Sequence, residues 1–222
     1  MKLQKRRIDH LLVERGLVDS RTKAQALIMA GKVFSEDGCV DKPGIRLKTN
    51  ALLRVSAKDH PWVGRGGLKL AHALEVFRID PKNCICLDIG ASTGGFTDVL
   101  LSHGAARVFA VDVGRGQLAW KLQTSDRVIV MDKTNARHLT RGDISENIDL
   151  IVCDASFISL KTILPAPLAL ANGGTRLVAL IKPQFEVGRE RIGKGGIVSS
   201  PQLHNEICQG INSWLGQLYG WQ

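Results

Sequence analysis

Two charged residues stand where apolar runs stop. Asp154 closes the run in VCDAS, and Lys182 closes the run in LIKPQFE. A carboxylate beside an ammonium group can be a plain structural ion pair. At the rim of a ligand crevice the same pair can move protons, because perturbed titratable groups concentrate at such places. Lys69, inside the glycine-rich stretch VGRGGLKL (63–70), is a third candidate. It could be a phosphate ligand, a surface charge or a catalytic base, depending on what carries it.

The stretch DIGASTGGFTD (88–98) ends one apolar run and opens a helical pattern. Its spacing is Asp88-x-Gly90-x-x-x-Gly94-Gly95, with Ser92 and Phe96 in the same turn. A dinucleotide site wants Gly-x-Gly-x-x-Gly, which lets the backbone approach a pyrophosphate. That approach is missing here. An acidic strand end suits a ligand bearing an ammonium group. Asp112, ending the next run, can take two ribose hydroxyls, and Asn135 can bond an adenine edge. Together these describe an S-adenosylmethionine site better than an NAD site, and Asp154 would border it.

The elements that must position these residues follow from periodicity. Five short apolar runs, 84–90, 107–114, 128–132, 149–155 and 176–183, alternate with helical patterns such as 95–103 and 161–171. Near-continuous apolar strands alternating with helices predict a doubly wound, Rossmann-like α/β fold with a parallel sheet covered on both faces. In that topology Asp154 and Lys182 end neighbouring strands. Ser200-Pro201 predicts the start of a last helix.

The first 60 residues have another texture. Ile8, Leu11 and Leu12 predict a helix stopped by Gly16. Ser20 caps a second helix with core face Ala24, Leu27 and Ile28, stopped by Gly31. Val33-Phe34, Asp37-Gly38, Cys39-Val40 and 52–55 predict a compact hairpin and a last strand. The expected division is 1–60, a small α+β domain, and 61–222. The chain carries a net charge of +9, and its first 60 residues hold 13 of the 30 basic side chains against 7 of the 21 acidic ones. Such an excess attracts a polyanion, most often nucleic acid. Arg6, Arg7, Arg21, Lys23 and Lys32 lie off the apolar faces and are expected to form one basic surface. Arg189, Arg191 and Lys194, in a glycine-rich loop, are further cations.

The five cysteines are odd in number and lack zinc-type spacing, which suits free thiols in a reducing cytosol. No apolar run approaches the ~20 residues of a membrane span, and the N-terminus has no signal-peptide pattern. The six His show no ligand or triad spacing, and Trp62, Trp120, Trp214 and Trp221 are dispersed.

The pattern RIDHLLVERGLVDSRTKAQALIMAGKV, followed by DG and KPG, resembles the S4 RNA-binding domain over residues 6–56, which reads structured RNA by shape and phosphate contact. FSEDG departs from that domain's usual hairpin tip. RGGLKL, DIGASTGGFTD, CDASFISL, IKPQFEVG and GKGGIV resemble the TlyA/hemolysin A family of FtsJ-like ribosomal-RNA 2′-O-methyltransferases. That resemblance implies S-adenosylmethionine as cofactor, ribosomal RNA or ribosomal subunits as partner, no metal, no membrane and a cytoplasmic location. It also implies a Lys-Asp-Lys-Glu catalytic set, with Lys69, Asp154 and Lys182 as its first three members and Arg65 beside them for RNA. Gly64 stands where the family often has serine.

The chemistry asks for such a set. A ribose 2′-OH must lose its proton as it attacks a sulfonium methyl group, and a lysine can take that proton only when it is itself deprotonated. The expectation is Lys182 as general base, Asp154 as its orienting partner, and Lys69 as the cation that steadies developing alkoxide charge. The fourth member, a Glu on a C-terminal β-hairpin, has no counterpart before Gln222. The chain is therefore expected to be a fragment or a truncated relative. An RNA-binding protein of this fold without activity is the alternative reading. Membrane lysis, suggested by the family's older name, finds no supporting segment.

Overall fold

The computed structural model describes residues 4–56, 60–218 and 221, with Arg189 described by its backbone alone. Two compact units result, Met1–Pro61 and Trp62–Gln222.

The first unit runs β1 (Lys5–Arg7), α1 (Ile8–Glu14), α2 (Arg21–Met29), β2 (Val33–Ser35), β3 (Gly38–Cys39), β4 (Arg46–Lys48) and β5 (Leu53–Val55). α2 starts where the Ser20 side chain accepts the Lys23 N–H at 3.3 Å. It stops before Gly31, whose φ of +66° favours glycine. Ile8, Leu12, Ala24, Ile28 and Val33 form the buried centre. β2 pairs antiparallel with β3 and with β5, as the hairpin reading predicts. The antiparallel ribbon of β1 and β4 escaped that reading. KRR and RLK show no apolar alternation. Backbone bonds define the ribbon instead, with Ile8 N–H donating to Ile45 C=O and Thr49 N–H to Gln4 C=O, both at 2.9 Å.

The second unit runs α3 (Gly66–Val76), β6 (Ile85–Ile89), α4 (Gly95–Ser102), β7 (Arg107–Val111), α5 (Trp120–Gln123), β8 (Val128–Met131), β9 (Ile148–Cys153), α6 (Leu160–Ile163), α7 (Pro165–Leu168), β10 (Ala171–Ala179), α8 (Pro183–Glu186) and α9 (Pro201–Gly216). The five strands form one parallel sheet in the order β10-β9-β6-β7-β8. Chain order therefore reverses at β6, where ligand crevices form in open α/β sheets. Alternate residues feed opposite cores. Leu87, Ile89 and Ile151 pack with Leu164, Ile207 and Ile211. Cys86, Val108 and Val152 pack with Leu70, Leu74 and Leu100. α3 and α4 thus cover one face, and α6, α7 and α9 the other.

Two expectations need correction. The predicted helix over 161–171 is two short ones, because Pro165 lacks an N–H and disfavours helix at the residue before it. The last strand begins at Ala171 rather than 176, with a register shift between Ala171 and Arg176. Gly173 and Gly174 lie within that shift.

Candidate active site

The ends of β6, β7 and β9 open into a cleft of about 660 Å³, lined among others by Gly90, Ser92, Asp112, Asn135, Asp154 and Phe157. The turn after β6 is glycine-bound by geometry. Gly90 has φ +79°, and a Cβ there would stand 3.1 Å from the Ala155 backbone. Asp112 shapes the turn from across the cleft, accepting the Ser92 N–H at 2.8 Å and the Gly114 N–H at 2.7 Å. Asn135 Oδ1 accepts from Arg137 N–H at 3.1 Å and from Arg137 Nε at 3.3 Å.

Other residues of the motif sit elsewhere. Gly94 backs the turn rather than the cleft, with φ +93° and a hypothetical Cβ only 2.2 Å from Leu122 Cδ1. Asp88 is buried completely beneath the turn. Its Oδ2 accepts from Thr97 Oγ1 at 2.6 Å, and its Oδ1 has no partner. Burial raises its carboxyl to about 7, against the opposing pull of the Thr97 hydrogen bonds. The Asp88–Thr97 pair was not foreseen, although the two lie nine residues apart within one motif.

A second, more polar cleft of about 240 Å³ adjoins the first, sharing Gly90, Ser92, Asp154 and Ser156 with it. Gly95, Phe96, Arg65, Lys69 and Lys182 line it. Asp154 stands between the two lysines. Its Oδ1 is 2.5 Å from Lys182 Nζ and its Oδ2 is 3.8 Å from Lys69 Nζ. Lys182 also donates to the Asp154 carbonyl at 3.1 Å and to Ser156 Oγ at 2.8 Å. The Lys182 side chain is 18% exposed and that of Lys69 is 54% exposed, so the first is held and the second reaches into solvent. Sequence reasoning missed Ser156. The signal was its spacing, two residues after Asp154 directly beyond the strand end. The neighbouring Cys153 is no nucleophile, since burial pushes its thiol up to about 12.

Lys69 arrives by close packing of small residues. A Cβ on Gly95 would meet Gly67 N at 3.0 Å, and one on Gly66 would meet Asp154 Oδ2 at 3.4 Å. Asp98, on α4, accepts the Val63 N–H at 2.8 Å and pairs with Lys121 Nζ at 2.8 Å. Gly64 also matters, because a Cβ there would come within 2.9 Å of Thr93 Oγ1. A serine in its place requires that hydroxyl to turn away.

In the first unit the expected basic residues are mostly paired. Arg7 donates twice to Asp9 at 3.0 Å, and Arg21 Nε donates to it at 3.0 Å. Asp9 is buried, and the Arg7 hydrogen bonds lead in holding its carboxyl well below the usual range. Arg6 pairs with Glu14 at 2.5 Å and Lys23 pairs with Asp19. Lys32 lies directly before β2. Three cations that sequence reasoning passed over are set by the ribbon, where Lys5 is opposite Lys48 and Arg46 is opposite the expected Arg7. In the glycine-rich loop Arg191 pairs with Glu206 at 2.8 Å, while the Arg189 side chain lies outside the described residues. Among the described residues, no group of three His, Cys, Asp or Glu side chains is placed to hold a metal ion, and no helix is long and apolar enough to cross a membrane.

Comparison with known proteins gives this arrangement a context. The FtsJ-like methyltransferase family matches residues 62–221 and the S4 domain matches residues 6–53. A Mycobacterium tuberculosis protein named 16S/23S rRNA (cytidine-2′-O)-methyltransferase TlyA is 51% identical over 198 residues, 89% of this chain and 74% of that one. Hemolysin A of Brachyspira hyodysenteriae is 41% identical over 202 residues, 90% of this chain and 84% of that one. A Streptococcus thermophilus structure carrying the name of a hemolysin superposes with a TM-score of 0.72 at 42% identity, covering 96% of this chain and 78% of that one.

Proposed function

The chain belongs to the FtsJ-like methyltransferase family and carries an S4 domain, and on that premise we propose that it methylates a ribose 2′-OH of ribosomal RNA with S-adenosylmethionine as donor. The Mycobacterium tuberculosis relative's name supports cytidine as the acceptor nucleoside. The observation that carries the proposal is one carboxylate, Asp154, standing between two lysines where the two clefts meet.

The residues present fit the donor. Asp88 supports the turn from beneath, its Oδ2 accepting from Thr97 Oγ1 at 2.6 Å. Gly90 lines the cleft and lets the turn pack against the Ala155 backbone, where a Cβ would stand at 3.1 Å. Asp112 keeps lone pairs for ribose hydroxyls beyond the two backbone bonds it accepts. Asn135 spends its oxygen on Arg137 and keeps its amide donors for a base edge. Ser92, Gly94, Gly95 and Phe96 complete the turn. When bound, S-adenosylmethionine supplies an electrophilic methyl group on a positively charged sulfur.

The chain's own task is to make the ribose oxygen a nucleophile. In this reading Lys182 is the base that takes the hydroxyl proton on Nζ. Asp154 and Ser156 fix where that nitrogen stands. Lys69, more exposed and on the opposite side of Asp154, opposes the charge that develops on oxygen. The first unit and Arg65 hold RNA phosphates, and a ribosomal substrate goes with a cytoplasmic location.

The test is transfer of labelled methyl from S-adenosylmethionine to separated ribosomal subunits. Lys182→Ala lowers the rate by about 10²–10⁴-fold, the usual share of a general base, while donor binding by calorimetry is retained. Full activity in Lys182→Ala sinks the assignment of the base. RNA binding without label in the wild type would leave a binding protein of the same fold.

A further inference from the structure

Glu186 lies four residues past Lys182, and the chemistry above does not use it. Its carboxylate reaches across to the loop that carries Asp154. Oε2 accepts from Ser159 Oγ at 2.6 Å and Oε1 accepts from the Leu160 N–H at 2.8 Å. These bonds are the last rungs between two loops running side by side. The first is Leu180 N–H to the Cys153 carbonyl at 2.9 Å. The Lys182 bonds to Asp154 and Ser156 follow. Next comes a tilted ring pair, Phe157 on Phe185, with centroids 5.1 Å apart.

The first loop needs holding. Phe157 has φ +66°, a conformation strained for a bulky side chain, which persists only where surrounding structure over-determines it. The second loop transmits position. Lys182 is followed by Pro183, whose ring fixes φ, and by the single turn of α8 that ends at Glu186. A shift at Glu186 is therefore passed to Lys182 over a short, stiff stretch.

We propose that Glu186 is a positioning residue for Lys182: it locks residues 182–186 onto residues 154–160 and so sets where Lys182 Nζ stands against Asp154 and Ser156. The proposal rests on the reading of Lys182 as the group that handles the ribose proton. Its consequence for the structure is independent of turnover, because an unlocked Lys182 leaves its acceptors and becomes open to reagents.

Glu186→Ala, Glu186→Gln and Ser159→Ala test it in the full chain. Glu186→Ala lowers kcat by about 10- to 100-fold, the scale of a displaced catalytic group, with KM for the donor and the urea midpoint close to wild type. Glu186→Gln, which keeps an acceptor oxygen, recovers much of the loss. Adding Ser159→Ala to Glu186→Ala brings no further loss. Limiting acetic anhydride, read by peptide mass spectrometry, acetylates Lys182 several-fold faster in Glu186→Ala and leaves Lys69 unchanged. Unchanged Lys182 acetylation overturns the proposal whether or not the chain turns over. So does a kcat loss that tracks the unfolded fraction. Absence of methyl transfer in the wild type, with Lys182 still unmasked by Glu186→Ala, overturns the proposed function and leaves the positioning intact.

Discussion

Asp88 shows how far one side chain can be read from its place in a motif. Sequence marks it as the acid of a ligand turn. The structure adds that it has no solvent and one unpaired oxygen. A carboxyl raised from 3.8 to about 7 holds its proton in the folded state while the unfolded chain has lost it. Between those values the unfolded state binds fewer protons, so stability falls as pH rises, by about 4 kcal/mol in all if Asp88 acts alone. Asp9, whose carboxyl is depressed, acts with the opposite sign and only below the ordinary aspartate range, so it does not mask this window. Urea unfolding at pH 4.5 and 8 is expected to show the loss in the wild type and a flatter profile in Asp88→Asn. An equal slope in both proteins would place the proton elsewhere. None of this was legible in the sequence, because desolvation depends on what covers the strand end. The meeting of Asp154 and Lys182 was legible, because parallel neighbours bring their carboxyl ends to one edge.

At the scale of elements, the sheet could be read from five apolar runs because burial on both faces leaves little else as a pattern. The β1–β4 ribbon could not. Its side chains are almost all charged, and only long-range backbone pairing reveals it. That pairing sets Lys5 opposite Lys48, and like charges facing across a ribbon are unfavourable by themselves, whereas Arg7, opposite Arg46, is already offset by Asp9. A polyanion lying on that face would relieve the repulsion. Arg46→Ala with Lys48→Ala is therefore expected to weaken RNA binding and to flatten the slope of log affinity against log salt by about 1–2, two phosphate contacts' worth. Folding stability of the double variant should hold or rise slightly. Filter binding across a potassium chloride series reads the first, and urea unfolding the second. An unchanged slope would show that the ribbon does not meet phosphate. The paired cations Arg6 and Arg7 on β1 and Arg21 and Lys23 on α2 are expected to contribute less, because Asp9, Glu14 and Asp19 already neutralise them.

At the scale of the molecule, each unit has a centre of its own, one around Ile8 and Ile28 and two on the faces of the parallel sheet. Charge and chemistry divide with them, since most of the basic excess lies in residues 1–60 and the clefts lie in 62–222. Ligands should therefore stabilise the units separately. All four tryptophans fall at 62, 120, 214 and 221, so their fluorescence reports the second unit alone, whereas far-ultraviolet circular dichroism reports both. S-adenosylmethionine at 100 times its Kd should stabilise the second unit by about 2.7 kcal/mol, seen as a raised midpoint in fluorescence. A short ribosomal-RNA stem should raise the part of the dichroism transition that fluorescence does not follow. If the donor moves both signals together by the same amount, the two cores unfold as one. The folding of the S4 unit is then energetically tied to the cleft proposed for the donor.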